Sequence, residues 1–303
     1  MNRQSESGLS RLAMGTVALG MPYGLSSAEK QGEISKAEAV KLLHSASAMG
    51  ITLFDTAPGY GVSESIVGEA FANDESVVIA TKVDNPSSAA TIASSIERSL
   101  KRLRRERLDI VQIHNATVDT FTATAAMETL QRLRQQGKVG RVGASVYGEA
   151  AAMAAIESGV EVLQVACNLL DQRMLVRVAP AAEQQKVQLM IRSIFLKGVL
   201  TPWGSSLKGA LEPLYEAANQ VVNSLQIEWS ELSTVALRFA LECSPDAVAL
   251  VGITNQEELQ QAVDGVHSGA LSPWQREQIK GLAIDDESLL NPSKWPRDKQ
   301  LMG

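Results

Sequence analysis

The sequence contains very little cysteine. Cys167 and Cys243 are the only two in 303 residues, and they do not form a CxxC spacing. Cys167 lies in an apolar run typical of a strand and Cys243 ends a helical pattern, so we expect two buried thiols and neither a disulfide framework nor a metal site. This usage fits a reducing cytoplasm.

Long apolar segments are also absent. The first ten residues are polar and lack the apolar core of a secretory signal, and no apolar run is long enough to span a bilayer. The formal net charge of −6 argues against a general affinity for nucleic acid or for an anionic membrane. The densest basic run, Lys101–Arg107, falls at the end of a predicted helix, where cations complement the helix dipole, and we expect it to be solvated.

Glycine-rich phosphate loops are missing as well. Neither GxGxxG nor GxxxxGK followed by Ser or Thr occurs, which argues against a doubly wound open sheet. The chain instead contains eight alternating strand and helix patterns, which predict an α/β fold, a closed (β/α)8 TIM barrel of parallel strands. The predicted strands are Leu12–Thr16, Ile51–Thr56, Val77–Lys82, Leu108–His114, Val139–Tyr147, Val162–Leu169, Val187–Phe195 and Ala247–Ile253.

Helical periodicity fills the segments between these strands. We expect one domain over residues 1–303, with a loose tail through Ser10, a loop over Val17–Ser26, and a segment after Pro273 that packs on the barrel. The predicted helices are Ser35–Met49, Glu64–Phe71, Ala89–Arg107, Thr122–Gly137, an alanine-rich helix ending at Gly159, Leu175–Lys186, Leu211–Leu225, Leu232–Glu242, Gln256–Val266 and Trp274–Leu282.

Ionisable groups stand at the C-terminal ends of three successive predicted strands. Asp55 ends the second strand, with Tyr60 in the loop that follows it; Lys82 ends the third strand and His114 the fourth. In a parallel barrel these ends face one mouth, where barrel enzymes keep their chemistry. Each residue taken alone has an ordinary structural explanation, but the ordered set favours a catalytic site.

The run Phe54–Gly61, FDTAPGYG, and the order of these four groups resemble the aldo-keto reductase superfamily. The resemblance covers nearly the whole chain. It implies an NAD(P)-dependent oxidoreductase that reduces an aldehyde, ketone or sugar carbonyl to the alcohol, or catalyses the reverse. The rival interpretation is a regulatory subunit of the same fold, which binds the cofactor and turns over slowly.

Carbonyl chemistry explains why these residue types occur together. Hydride addition places negative charge on the carbonyl oxygen, which needs a proton donor. We expect Tyr60 to be the general acid/base, with the Lys82 ammonium lowering its pKa from the ordinary value of about 10. Asp55 is then the counter-ion that orients Lys82, and His114 a hydrogen-bond donor to the carbonyl. Tyr23 is expected to contact the substrate together with Tyr60 and His114.

The resemblance also implies a set of cofactor-binding residues. Ser145 is followed by Val146 where the family usually has asparagine, and Arg192 stands where many members have a stacking aromatic ring. A guanidinium can also stack on a ring face. The implied residues are Gly15, Thr16, Asp55, Ser145, Gln164, Arg192, Ser193, Phe195, Leu196, Gly198, Gly252, Thr254, Asn255, Glu258 and Gln261.

The residues expected to select between NADP(H) and NAD(H) differ from those usual in the family. The resemblance implies NADP(H), but the places where NADP-preferring members usually carry basic or amide groups hold Gly252, Glu258 and Ala262. A carboxylate near the adenosine 2′-phosphate opposes it and could bind a free 2′-hydroxyl instead. We therefore expect weaker NADPH selectivity than the family norm, with NAD(H) competing or winning. If Glu258 points to solvent, as most helix-surface glutamates do, this expectation lapses.

The expected partner is a small-molecule carbonyl or sugar, without nucleic acid or membrane, and the expected assembly is a monomer or a weak homo-oligomer. The loop Gly20–Gly24 and the run Ile191–Leu196 resemble bacterial members associated with sugar or cell-surface polysaccharide genes. The loops that would form a substrate pocket cannot be placed from sequence, so the particular substrate stays open.

Overall fold

A computed structural model describes residues 10–23, 34–72, 74–84 and 86–295. Within these ranges eight strands form a closed barrel in which each strand pairs with the next and β8 closes on β1, all in parallel. The predicted (β/α)8 barrel is confirmed, and the open-sheet alternative is excluded by this closure. The strands are β1 (Leu12–Gly15), β2 (Leu53–Asp55), β3 (Val78–Val83), β4 (Leu108–Ala116), β5 (Val139–Val146), β6 (Val162–Ala166), β7 (Gln188–Arg192) and β8 (Val248–Gly252).

Helices surround the barrel in the described part of the chain. They are α1 (Val17–Gly20), α2 (Lys36–Ala48), α3 (Ser63–Phe71), α4 (Ala89–Leu103), α5 (Val118–Thr122), α6 (Ala125–Gln135), α7 (Glu149–Glu157), α8 (Val178–Gln184), α9 (Glu212–Leu225), α10 (Leu232–Leu241), α11 (Gln256–His267), α12 (Pro273–Ile279) and α13 (Glu287–Leu290). Short 3₁₀ turns lie at Arg173–Leu175, Leu196–Gly198, Pro202–Ser206, Gly209–Leu211, Trp229–Glu231 and Pro292–Lys294.

The alternation of side chains along each strand produces two apolar layers. In β1, Leu12 and Met14 pack outward against the helices, whereas Ala13 points into the barrel. Residues from six further strands join Ala13 in a separate inner cluster, namely Leu53, Ala80, Ile110, Val162, Met190 and Val248. These side chains fill the barrel interior, so the functional groups at the mouth lie above a packed apolar core and not above a pore.

Several predicted boundaries differ from the structure. Val17–Gly20 is a short helix where a loop was expected, and residues 24–26 of that predicted loop lie outside the described ranges. The helix expected over Thr122–Gly137 is α6, which begins at Ala125, directly after Thr124 with its positive φ of 50°. The short helix α5 before it was not predicted. The helix expected from Ala89 ends at Leu103, before Arg104 in the left-handed region.

The basic run Lys101–Arg107 is not simply solvated, so that prediction is wrong for two of its members. Arg102 Nε donates to Glu64 Oε2 at 2.5 Å, and the Glu64 side chain is almost fully buried. Arg105 donates to the backbone carbonyl of Asp74 at 2.7 Å. These contacts tie α3 and the loop after it to the end of α4.

Other expectations hold. Ser35 caps α2 in a capping box with Glu38, and Cys167 and Cys243 are both buried free thiols. The segment after Pro273 lies on the barrel, since Ile284 N donates to Leu170 O at 2.9 Å. The extent of the domain over residues 1–303 stays a prediction. No helix in the described ranges is long and apolar enough to cross a membrane.

Gly68 of α3 lies close to the backbone at the end of α4. A Cβ added there would lie 2.2 Å from the Arg102 carbonyl oxygen, so the two helices must separate to admit it. We expect Gly68→Ala to lower the free energy of unfolding by about 1–3 kcal/mol, measured by urea denaturation. Gly281→Ala is the control because no atom lies within 4 Å of its added Cβ. Equal effects of the two substitutions would contradict the close approach.

Candidate active site

A cavity of about 1850 Å³ opens at the C-terminal ends of the strands. It is larger than the few hundred to about 1,000 Å³ usual for small-ligand pockets. Three of the four predicted catalytic groups line it, namely Asp55, Tyr60 and His114. Lys82 lies behind this wall and is fully buried. The structure thus brings the four predicted groups together at one mouth.

Lys82 and Asp55 form a buried ion pair. Their side chains are 0% and 3% exposed, and Lys82 Nζ lies 2.6 Å from Asp55 Oδ2. The ammonium also donates to the Thr56 carbonyl at 2.9 Å. Asp55 Oδ1 accepts from the side-chain amides of Gln112 at 3.1 Å and Gln164 at 2.9 Å. Both charges are therefore hydrogen-bonded, as the removal of two ions from water requires. Gln112 was not predicted as part of this network.

Tyr60 lies against this pair. Lys82 Nζ is 4.8 Å from the centroid of its ring, and the loop that carries it turns at Gly61 with a positive φ of 57°. Burial raises the pKa of Tyr60 above its ordinary value, the Lys82 ammonium offsets this only in part, and the Asp55 charge adds to the rise. The prediction that Lys82 brings the pKa of Tyr60 down is therefore wrong in its net direction, because Asp55 balances the lysine charge and the phenol is desolvated.

The Lys82 ammonium remains charged in this setting. Burial alone would lower the pKa of Lys82, but the Asp55 carboxylate and Tyr60 outweigh it and raise the pKa above its ordinary value. Tyr60 therefore has its proton at neutral pH and faces a fixed cation. This arrangement suits a group that gives up a proton only when negative charge builds nearby.

His114 has a partner that the sequence analysis missed. Its Nδ1 is hydrogen-bonded to Asp84 Oδ1, and its ring stands nearly perpendicular to that of Tyr60 with the centroids 6.1 Å apart. Hydrogen bonding to His114 is the main reason that the pKa of Asp84 is lowered. Asp84 follows Lys82 by two residues at the same strand end, so the spacing was a usable signal.

The predicted nicotinamide-binding groups are paired with each other. Ser145 and Gln164 are register partners in β5 and β6, and both are buried. Ser145 Oγ donates to Gln164 Oε1 at 3.2 Å, while the Gln164 amide is held by Asp55. Both residues line the cavity, where the Ser145 hydroxyl oxygen and the Gln164 carbonyl oxygen can accept hydrogen bonds from an amide.

Arg192 has its own aromatic neighbour. Its guanidinium carbon lies 4.0 Å from the centroid of the Tyr147 ring, and Nη2 donates to the Val146 carbonyl at 2.9 Å. Tyr147 was not among the predicted residues. Of the predicted residues in the loop after β7, Ser193, Phe195 and Gly198 line the cavity. Leu196 does not, because its side chain is packed in the core.

The far end of the cavity is closed by the start of α11. Gly252, Thr254, Asn255, Glu258 and Gln261 all line it there, and Gly15, Thr16 and Tyr23 line it elsewhere. Asn255 caps the helix by accepting from Glu258 N at 2.9 Å. Glu258 turns back toward the helix start, where its Oε2 accepts from Thr254 N at 2.7 Å and from Thr254 Oγ1 at 2.8 Å. It does not simply point to solvent.

A closed parallel barrel with a tyrosine over a buried lysine–carboxylate pair at its mouth defines a barrel enzyme of the oxidoreductase class. The chain belongs to the Aldo/keto reductase family, which it matches over residues 11–284. The resemblance seen in the sequence is therefore confirmed. Members of this family act on small-molecule carbonyl compounds with a nicotinamide cofactor, and the chain is an NAD(P)-dependent oxidoreductase.

Known relatives span several activities. Aldo-keto reductase YhdN of Bacillus subtilis is 29% identical over 208 residues, which are 63% of this chain and only 60% of that protein. The NADH-specific methylglyoxal reductase of Escherichia coli is 26% identical over 314 residues, covering 91% of each chain. The holo form of aldo-keto reductase AKR11C1 from Bacillus halodurans superposes with a TM-score of 0.78 at 22% identity, covering 95% of this chain and 98% of that one; this likeness shows the fold.

The cavity fits such a cofactor. It runs from the Ser145–Gln164 pair, which offers hydrogen bonds to a carboxamide, to the N-terminus of α11, where the helix dipole favours an anionic or hydroxyl-rich ligand. Its volume of about 1850 Å³ leaves room for a dinucleotide together with a small substrate.

The buried pair has a direct consequence for stability. Lys82→Met leaves the Asp55 carboxylate buried without its cation, so we expect the free energy of unfolding to fall by about 3–5 kcal/mol in urea denaturation. The double variant Asp55→Asn/Lys82→Met removes both charges and keeps an oxygen for Gln112 and Gln164, and should regain a large part of the loss. A double variant less stable than Lys82→Met would contradict this account.

Proposed function

We propose that the protein is an NADH-preferring reductase of small aldehydes or ketones in which Tyr60 exchanges the proton with the carbonyl oxygen. The observation that carries the proposal is the buried Lys82–Asp55 pair beneath Tyr60, at the wall of a cavity with room for a dinucleotide. An ion pair taken wholly out of water is a costly feature that purely structural needs rarely explain.

Different residues around the cavity would contact the cofactor and the substrate. Ser145 and Gln164 would hold the carboxamide of the nicotinamide ring, and Arg192, fixed against Tyr147, would cover the ring. When bound, the reduced nicotinamide supplies the hydride. The substrate enters through the exposed side of the mouth, where Tyr23 is 49% and Tyr147 is 44% exposed, and these rings offer apolar contact to a small carbonyl compound.

The chain supplies the proton and the stabilising charge. Burial keeps the Tyr60 hydroxyl protonated at neutral pH, so it hydrogen-bonds the carbonyl oxygen and donates its proton as negative charge develops there. The Lys82 ammonium stabilises the phenolate that is left behind, and Asp55 keeps that ammonium charged and aimed. His114, near the end of β4, would provide a second hydrogen bond to the same oxygen. In the oxidative direction the same groups act in reverse.

The preference for NADH rests on Glu258. Its carboxylate already accepts both the N–H and the hydroxyl of Thr254, which are donors that an adenosine 2′-phosphate would otherwise use. A dianionic phosphate there would meet like charge and lose those donors, whereas a neutral ribose hydroxyl can donate to the carboxylate. The E. coli relative that covers 91% of this chain is itself named NADH-specific, which supports the same choice.

The biological setting follows from the same chemistry. We propose a cytoplasmic enzyme acting on a small molecule without nucleic acid or membrane, as a monomer or weak homo-oligomer. Its net charge of −6 supports the expectation of no nucleic-acid or anionic membrane partner. An association with sugar or polysaccharide metabolism remains a prediction from the loop Gly20–Gly24.

Tyr60→Phe tests the proton donor. Because only the hydroxyl is lost, we expect kcat for reduction of 4-nitrobenzaldehyde to fall by about 10²–10⁴-fold, with NADH affinity changed little, as measured by steady-state assay and fluorescence titration. Tyr215→Phe is the matched control, since Tyr215 does not line the cavity. Its ring stacks on that of Trp229, with the centroids 6.0 Å apart. A Tyr60→Phe rate within about tenfold of wild type would exclude Tyr60 as the donor. Tight NADH binding with no turnover by the wild type would favour the regulatory interpretation.

Glu258→Arg tests the dinucleotide preference. The change removes the opposing carboxylate and adds a group that binds phosphate bidentately, so the ratio of kcat/KM for NADPH to that for NADH should rise by at least about tenfold. Glu257→Arg is the control, because it makes the same charge change on the adjacent, exposed position of α11. If wild type strongly prefers NADPH, or if both variants shift the ratio equally, Glu258 does not read the ribose.

A further inference from the structure

Arg192 reaches from the end of β7 to the groups that would hold the carboxamide of the cofactor. Its register partner in β6 is Ala166, two residues after Gln164. Its Nη2 donates at 2.9 Å to the backbone carbonyl of Val146, the residue that follows Ser145 in β5. The guanidinium therefore lies across the ends of the two strands that carry the Ser145–Gln164 pair, and Arg192 lines the cavity there.

Neutral groups hold this guanidinium in place. Besides the bond to the Val146 carbonyl, its Nη1 donates to Ser193 Oγ at 3.2 Å, and its central carbon lies 4.0 Å from the centroid of the Tyr147 ring. Since arginine stays protonated in proteins, these contacts fix the position of a full positive charge.

That charge has no counter-ion within the protein. Among the described residues, no ion pair joins Arg192 to a carboxylate. The two carboxylates closest to the catalytic groups are bound elsewhere, since Asp55 is paired with Lys82 and Asp84 is bound to His114 at the ends of β3 and β4. Arg192 is therefore an uncompensated cation in the cavity wall.

The charge of Arg192 also acts on the catalytic phenol. Burial is the main cause that raises the pKa of Tyr60, and the guanidinium is one of the charges that oppose this rise. Hydride transfer requires the nicotinamide ring to lie between its carboxamide site and the carbonyl carbon at Tyr60. Arg192 is bound beside the first of these places and acts electrostatically on the second, so its field covers the position of the ring.

The two redox forms of the cofactor differ in charge at this ring. The reduced ring is neutral, whereas the oxidised ring is a pyridinium cation. A fixed cation in a wall that is partly removed from water repels a second cation strongly. A guanidinium can at the same time stack favourably on a neutral ring.

We propose that Arg192 makes the site selective for the redox state of the cofactor, because its charge opposes the oxidised ring and tolerates the reduced one. This inference rests on the proposed function and deepens it. An NADH-dependent reductase has to bind NADH in the presence of its own product, NAD⁺. With Arg192 in the wall, NAD⁺ dissociates readily and competes weakly. Glu258 then reads the ribose, and Arg192 reads the charge of the ring.

The ratio of the dissociation constants of NAD⁺ and NADH tests the proposal without turnover. Both are measured on the full-length protein, NADH by fluorescence titration and NAD⁺ by isothermal titration calorimetry. In the wild type, NAD⁺ should bind at least about tenfold more weakly than NADH. Equal dissociation constants for the two forms overturn the proposal, and this result needs no variant.

Two substitutions of Arg192 separate its charge from its shape. Arg192→Met removes the charge and keeps an unbranched side chain, so the ratio should fall by about tenfold, chiefly through tighter binding of NAD⁺. Arg192→Lys keeps the charge and should retain most of the wild-type ratio. A ratio unchanged in Arg192→Met, or lowered equally in Arg192→Lys, overturns the role of the charge. A merely structural role would weaken both forms alike and leave the ratio unchanged.

Arg238→Met is the matched control. The Arg238 guanidinium is likewise bound to backbone carbonyls, those of Gly269 and Ala270, but Arg238 does not line the cavity. Its substitution removes the same charge from the chain and should leave the ratio at the wild-type value. A fall equal to that in Arg192→Met would show that net charge, and not the position of Arg192, sets the ratio.

Failure of this proposal and failure of the proposed function give different results. Equal affinities together with reduction of 4-nitrobenzaldehyde would retain the reductase and remove the role of Arg192. Unequal affinities that Arg192→Met abolishes, in a protein that does not reduce the aldehyde, would retain the role of Arg192 and remove the reductase. If the wild type prefers NADPH, the same ratio is measured with NADP⁺ and NADPH, so the test does not depend on Glu258.

Discussion

The ion pair between Lys82 and Asp55 is the constraint on which the candidate site depends. Two charges buried at 0% and 3% exposure are tolerable because side chains from four strands contribute to holding them. β2 supplies the carboxylate, β3 the ammonium, and β4 and β6 the amides of Gln112 and Gln164. The barrel therefore has to close in its observed register for the pair to be satisfied. The position of Tyr60 relative to the Lys82 and Asp55 charges depends on that closure.

Much of this arrangement was readable from the sequence. Apolar runs of strand length separated by helical periods predicted eight units, and closure of β8 on β1 confirmed the barrel. Since parallel strands share one C-terminal end, an Asp, a Lys and a His at successive strand ends had to face one mouth. Boundaries were less predictable, because a single backbone conformation such as the positive φ of Thr124 sets where α6 begins without a strong sequence signal.

The details of the site depended on side-chain directions across strands. Neither Gln112 nor Tyr147 was anticipated, because an ordinary polar or aromatic residue becomes functional only through what it faces. The net pKa of Tyr60 was predicted in the wrong direction, since the balance between burial and the Lys82 charge depends on how deeply the phenol sits. The hydrogen bond from Thr254 N to the Glu258 carboxylate likewise depends on the rotamer of Glu258 in the first turn of α11. Glu258 itself was singled out from the sequence.

Transfer of deuterium from the reduced cofactor to the alcohol product tests most directly the claim that this site reduces carbonyl compounds. The wild-type protein is incubated with 4-nitrobenzaldehyde and with NADH in which both hydrogens at C4 of the nicotinamide are deuterium, and the alcohol is analysed by mass spectrometry. A reductase organised around Tyr60 and the buried Lys82–Asp55 pair should give an alcohol with one carbon-bound deuterium in every turnover. Bound NADH with no deuterated alcohol formed would contradict the claim that this mouth carries out carbonyl reduction.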